Sequence, residues 1–129
     1  MGIFSWGKYT KIIINAEKQF IQTWNNTLFE DEKTEENYLQ VAMIALFFYS
    51  EESSLTPDDF SKMILGIRKS SPFYRLISGV TAYGQKAFSD YYSNTYRYYL
   101  SAISEGKSTN DAFTYAAEQQ SKLDGQLNF

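Results

Sequence analysis

Five tyrosines occur within the eleven residues DYYSNTYRYYL, positions 90 to 100. Tyrosine rings can anchor a protein partner or stack on nucleic-acid bases, so this stretch is the first candidate for a recognition surface. On a helix, however, Tyr91 and Tyr98 lie on the flank of an apolar stripe that the other large side chains share: Phe88, Tyr92, Tyr96, Tyr99 and Ile103. We therefore expect the stripe to be core and the two flanking tyrosines to be available for contact.

Basic residues accumulate in the same part of the chain. Residues 61–107 carry a net charge of +5, whereas residues 1–60 carry −6 and residues 108–129 carry −2. The densest basic stretch is IRKSSPFYR, residues 67–75. Cations interleaved with aromatic rings can bind phosphates and stack bases, but the net charge of −3 would repel nucleic acid at long range.

Segregated charge and spare surface tyrosines suit protein recognition, for which Tyr and Arg are frequent anchors. The leading hypothesis is a non-catalytic protein–protein interaction module, such as a small bacterial or phage accessory, inhibitor or immunity protein. The acidic front could also meet the basic middle of a second copy, which would give a homo-oligomer. We predict partner contacts at seven positions: Arg68, Lys69, Tyr74, Arg75, Tyr91, Arg97 and Tyr98.

Two alternatives remain open at this stage. The first is binding of nucleic acid or another anionic ligand through the basic, tyrosine-rich residues 61–107. The second is peripheral membrane association through Ile3, Phe4 and Trp6, which lie beside Lys8 and Lys11. We expect instead that an N-terminal arm, residues 1–7, folds onto the rest of the domain, because so few basic residues would anchor it weakly.

Catalytic chemistry has little support in this composition. The chain contains no histidine and no cysteine, which excludes Ser–His–Asp triads, HExxH zinc sites, thiolate metal centres and disulfides. Glu17 and Glu118 lie near apolar stripes where burial could suit acid–base work, but no spacing brings two acids together. No phosphate-binding loop or dinucleotide fingerprint occurs. We predict no enzymatic activity, no cofactor and no metal.

The acidic run EDEKTEE, residues 30–36, is the remaining chemical candidate. It lacks the D-x-[DN]-x-[DN]-G pattern of a calcium loop, and hard cations need oxygens that converge rather than follow one another. We interpret the run as a loop followed by a helix start. An acidic face that meets a basic protein is the alternative.

The elements that must position these residues are predicted to be helices. Helix starts are indicated by side-chain oxygens ahead of acids or proline, at Thr34, Thr56, Ser71 and Ser108. Apolar spacing of three and four residues then predicts helices over residues 8–29, 35–50, 57–69 and 109–123. A further apolar stripe runs from Phe73 to Ile103. Residues 72–105 are therefore expected to form one long helix, or a helix broken near Gly79, Gly84 or Ser93–Asn94. Gly106 should end this helix.

The sequence therefore predicts an all-α, single-domain bundle of about five helices. A β-strand alternative exists for YTKIII and YRYYL, but no turn or partner strand accompanies either stretch. The longest apolar run, residues 38–49, is too short to cross a bilayer. The N-terminal residues match neither a signal peptide nor a myristoylation pattern, so we expect a soluble, cytoplasmic protein.

Overall fold

The structure is a computed structural model that describes the backbone of residues 2–26, 29–78 and 84–127. It describes the side chains of residues 7–26, 29–76 and 90–122. The protein is all-α, and the described residues contain no β-strand. Two short 3₁₀ helices, Glu30–Glu32 and Pro72–Tyr74, accompany the α-helices, which are α1 Gly2–Asn26, α2 Glu35–Glu52, α3 Pro57–Leu65, α4 Arg75–Ser78, α5 Gly84–Ser104 and α6 Thr109–Leu127.

All four predicted helix starts are confirmed by hydrogen bonds. The hydroxyl of Thr34 accepts from the backbone N–H of Asn37 at 3.1 Å, and that of Thr56 accepts from Asp59 at 3.2 Å. Ser108 caps in the same way with Asp111, and the hydroxyl of Ser71 accepts instead from Phe73, two residues on, at 3.1 Å. Each cap satisfies a backbone donor that the helix cannot pair internally, which is why these residue types precede the helices.

Gly106 ends α5 as predicted. Its φ of +93° lies in the left-handed region that favours glycine. The N–H of Gly106 donates to the carbonyl of Ile103 at 2.9 Å, and the N–H of Lys107 donates to that of Ala102 at 3.1 Å. These two bonds are the pair that defines a Schellman motif, so the chain turns sharply towards α6.

The ends of α1 and α3 differ from the prediction. Helix α1 begins at Gly2, so the backbone of residues 2–7 is helical where the sequence predicted an arm. One internal glycine, Gly7, costs a helix only about 1 kcal/mol, and no proline interrupts the segment. Helix α3 ends at Leu65 because Gly66 forms its C-cap, although Ile67 beyond it is still buried.

The predicted long fourth helix is divided differently. The cap at Ser71 starts only the 3₁₀ helix Pro72–Tyr74 and the single turn α4. Helix α5 then runs without interruption through Ser93 and Asn94, where one of the possible breaks was predicted. Gly79 lies outside the described residues, and the side chains of Phe88 and of Ile3, Phe4 and Trp6 also lie outside them.

The helices pack as two antiparallel pairs, and α3 packs against one of these pairs. Helix α1 packs along α2, α5 packs along α6, and α3 packs against α5. A single cluster of buried apolar side chains joins them, with Phe47 of α2, Phe60 of α3 and Phe73 of the second 3₁₀ helix all fully buried. Between α1 and α3, the Tyr9 hydroxyl donates to an Asp59 carboxylate oxygen at 3.1 Å.

The tyrosine stripe of α5 belongs to this core, as predicted. Tyr96 and Tyr99 are fully buried and Tyr92 is 8% exposed. The Tyr92 hydroxyl donates to the carbonyl of Leu76 at 2.8 Å, and the Tyr96 hydroxyl donates to that of Leu55 at 2.7 Å. These bonds let large aromatic rings enter the core without leaving a buried hydroxyl unsatisfied.

Tyr99 is the exception in this stripe. Its hydroxyl approaches Thr109 but reaches no well-formed hydrogen bond within the described residues, and the buried hydroxyl of Ser50 is likewise unpartnered. A buried polar group without a partner costs folding free energy, whereas one with a partner is approximately neutral or favourable. Tyr96, whose hydroxyl has a hydrogen-bond partner, and Tyr99, whose hydroxyl has none, therefore provide a matched comparison.

We expect Tyr96→Phe to lower the free energy of unfolding by about 1–3 kcal/mol, because it leaves the Leu55 carbonyl unpaired. Tyr99→Phe should leave the free energy of unfolding unchanged to within about 0.5 kcal/mol or raise it, because only an unpartnered hydroxyl is lost. Urea unfolding followed by circular dichroism measures both. Equal destabilisation by the two substitutions would contradict this assignment of the hydroxyls.

Burial also makes the core tyrosines resist ionisation. Loss of hydration raises the pKa of Tyr92 to about 12, and it raises the pKa values of Tyr96 and Tyr99 as well. In the unfolded chain a tyrosine has a pKa of about 10. Above that pH the unfolded chain releases protons that the folded chain retains, so rising pH favours unfolding.

The free energy of unfolding should therefore be fully maintained below about pH 10 and fall by up to about 1.4 kcal/mol per pH unit for each buried tyrosine above it. Phenolate absorbance and helical circular dichroism, followed together during alkaline titration, measure this. Absorbance from the buried tyrosines should rise only as helicity is lost. Complete ionisation of all tyrosines at constant helicity would refute the assignment.

Candidate functional site

The predicted basic contact residues differ in their structural roles. Arg68 and Lys69 are exposed in the turn between α3 and the second 3₁₀ helix, and neither forms an ion pair with a described residue. Arg75 instead forms an ion pair with Glu35 at the start of α2. Its guanidinium carbon also lies 4.1 Å from the centre of the Tyr38 ring. Arg75 is therefore part of the scaffold as well as of the surface.

The Tyr38 ring connects this basic stretch to an aromatic cluster. Its centre lies 4.7 Å from that of Phe20 and 5.2 Å from that of Trp24, both in edge-to-face contacts. The Tyr38 hydroxyl donates to the carbonyl of Pro72 at 2.7 Å. Tyr74, another predicted contact residue, is half-buried against the core. This cluster holds residues 71–75 against α1 and α2.

The remaining predicted residues lie on different faces of α5. Tyr91 is 39% exposed. Tyr98 is half-buried, and its ring meets that of Tyr115 on α6 at 6.5 Å. Arg97 is exposed, about 120° around the helix from Tyr91 at 100° per residue. The seven predicted residues thus do not form a single row, although each is at least partly exposed.

In the described part of the chain, a concave surface lies between α2 and α6, and we call it the α2–α6 groove. Three adjoining depressions of about 370, 330 and 450 Å³ share lining residues and together form it. The floor is largely apolar, and α1 and α5 close its two sides. Its principal residues are Gln40, Val41, Ile44 and Phe48 of α2, Asn110, Phe113, Thr114, Ala117 and Ser121 of α6, Gln19 and Thr23 of α1, and Tyr91 of α5.

The two helices run antiparallel along this groove. Phe48, near the end of α2, lines the same depression as Asn110, near the start of α6. Gln40, near the start of α2, lines another depression with Ser121. At 1.5 Å per residue, the lining stretches of both helices are about 15 Å long. The groove is therefore as long as about three turns of a helix.

Charge is distributed unevenly around the α2–α6 groove. Glu118 is the only charged residue among those that line the three depressions. The two helices nevertheless contain six acids and one lysine within residues 35–52 and 109–122. The neutral floor thus lies between two helices that together carry a net charge of −5 over these residues, which favours cationic groups in anything that binds there.

Sequence reasoning missed this groove because an apolar helix such as residues 35–50 is typical of a buried central element. Helix α2 is apolar on nearly every side, and Val41, Ile44 and Phe48 are nevertheless only half-buried. The opposing signal lies in α6, where small or short side chains recur at helical spacing at Asn110, Thr114, Ala117 and Ser121. Short side chains opposite large ones leave space between two helices.

Other chemistries find no assembled site in the described part of the chain. There, no three Asp or Glu side chains converge as metal ligands. Glu17 is half-buried beside Ser71, and Glu118 is exposed on α6. None of the described helices is both long enough and apolar enough to cross a membrane.

Comparisons of the chain with protein-family models, with curated proteins and with solved structures returned no match.

The contribution of Arg75 to stability can be separated from that of an exposed arginine that forms no ion pair with a described residue. We expect Arg75→Gln to lower the free energy of unfolding by about 1 kcal/mol, since it removes one exposed ion pair and one contact with the Tyr38 ring. Arg97→Gln, at an exposed position of α5, is the matched control and should have no measurable effect. Thermal unfolding measures both, and equal values would show that Arg75 contributes nothing to the scaffold.

Proposed function

We propose that this protein is a non-catalytic recognition module that binds an amphipathic, basic helix of a partner protein in the α2–α6 groove. The observation that carries this proposal is the combination of a largely apolar floor, lined by the single carboxylate of Glu118, with the net negative charge of α2 and α6. Amphipathic helices bind in such grooves through apolar anchors spaced by three, four and seven residues. Lysines and arginines beside those anchors would be attracted by Glu118 and by the other acids of α2 and α6.

The dimensions of the groove support a helical occupant. Anchors seven residues apart on a helix are separated by about 10 Å, which fits within a groove about 15 Å long. Ile44, Phe48 and Phe113 are half-buried and supply apolar contact surface without further rearrangement. Tyr91 lines one end of the groove, so this one of the predicted contact residues takes part in the proposed interface.

A second copy of the chain is a weaker candidate for the same groove. Two grooves brought face to face would bring the net negative helices α2 and α6 of both copies together, and like charges at an interface are unfavourable. Anionic-ligand binding through residues 61–107 remains the alternative. Within this region, however, Arg75 is already paired with Glu35, and Arg97 lies on a different face of α5 from Tyr91. Membrane association through Ile3, Phe4 and Trp6 also remains a prediction.

The proposal is tested with a designed probe, a peptide of two leucine–lysine heptads patterned as an amphipathic helix. A peptide of the same pattern with glutamate in place of lysine is its charge-reversed control. We expect the lysine peptide to bind with one-to-one stoichiometry and at least about tenfold more tightly than the glutamate peptide, with affinity falling as salt rises. Isothermal titration calorimetry measures both.

Two variants locate the binding surface. Thr114→Trp places a bulky ring in the groove and should weaken binding of the lysine peptide by about tenfold or more. Ser101→Trp makes the same kind of change at an exposed position of α5 outside the groove, and it should leave the affinity unchanged. Equal affinities for the two variants, or equal binding of the two peptides, would refute the proposal.

A further inference from the structure

A separate cleft lies on another face of α1, and we call it the α1 cleft. One wall is α1 over residues 9–17, and the other is the segment from Gly66 to Ser71 that follows α3. The cleft has a volume of about 310 Å³, near the lower limit for small-molecule sites in proteins. It shares no lining residue with the α2–α6 groove.

Two opposite charges line the α1 cleft without neutralising each other. The half-buried carboxylate of Glu17 accepts a hydrogen bond from the Ser71 hydroxyl at 2.6 Å. The Arg68 guanidinium is exposed in the opposite wall. Neither side chain forms an ion pair with any described residue, and they do not pair with each other. A ligand can therefore satisfy both charges at once only if it carries both signs itself.

An apolar strip accompanies the two charges. Ile13 and Ile14 supply apolar surface along α1, and Ile14 is 44% exposed. The cleft thus offers an anionic position, a cationic position and an apolar strip.

We propose that the α1 cleft binds a small amphiphilic zwitterion of the chemistry of a free α-amino acid with an aliphatic side chain. The ammonium group lies at Glu17, the carboxylate at Arg68 and the side chain along Ile13 and Ile14. The volume accommodates a ligand of this size, whereas a dinucleotide or a folded partner would not fit. This site is additional to the α2–α6 groove and does not depend on the function proposed for the groove.

The probes are L-leucine and two analogues that each lack one charge, isocaproate without the ammonium and isoamylamine without the carboxylate. Binding to the full chain is followed by NMR chemical-shift perturbation. We expect L-leucine to bind with a Kd of about 1 mM, and each analogue to bind at least about tenfold more weakly. Isocaproate binding as tightly as L-leucine would reduce the site to an anion contact at Arg68 and overturn the proposal.

Substitutions assign the two charges. Glu17→Gln retains an oxygen that accepts the Ser71 hydrogen bond, so the fold should be preserved while affinity for L-leucine falls about tenfold. Arg68→Gln changes an exposed side chain and should have a similar effect. Arg97→Gln removes an exposed cation outside the cleft and should change nothing. Equal affinities for Arg68→Gln and Arg97→Gln would overturn the proposal, as would the absence of L-leucine binding up to about 20 mM.

Discussion

The hydrogen bond from the Tyr96 hydroxyl to the Leu55 carbonyl is the constraint on which the arrangement of the bundle depends. The Tyr96 ring stacks on Phe60 of α3 at 4.6 Å and also meets Phe47 of α2 at 5.5 Å. A buried phenol without an acceptor costs folding free energy, and the acceptor that the Tyr96 hydroxyl finds lies in the connection between α2 and α3. One side chain therefore fixes α5 relative to both preceding helices.

This arrangement determines where concave surfaces remain. Helix α5 packs against α3 on one side and α6 on the other, while α2 packs chiefly against α1. Between α2 and α6, the large ring of Phe113 lies 6.0 Å from that of Phe47. Around Phe113 the side chains of α6 are short, so the apolar excess of α2 is only half covered. The groove therefore follows from a packing in which α5 contacts both α3 and α6, while α2 contacts α6 much less than it contacts α1.

Features that follow from local sequence were predictable, and features that depend on tertiary distances were not. The caps at Thr34 and Thr56 and the turn at Gly106 each need only neighbouring backbone groups, and all three are present. The burial of Tyr92, Tyr96 and Tyr99 followed from helical spacing. Arg75 was read as a free contact residue because its partners, Glu35 and Tyr38, are about forty residues away in sequence. The groove escaped notice for the same reason.

The absence of histidine and cysteine determines the kind of recognition that either site can perform. These are the residues whose ordinary pKa values lie closest to neutrality, so the chain lacks the usual means of switching charge near pH 7. The groove and the α1 cleft instead use carboxylates, a guanidinium and apolar surface. Exposed charges of this kind are screened by salt over about 10 Å, whereas apolar contacts are not. Binding at both proposed sites should therefore be governed by ionic strength and apolar fit.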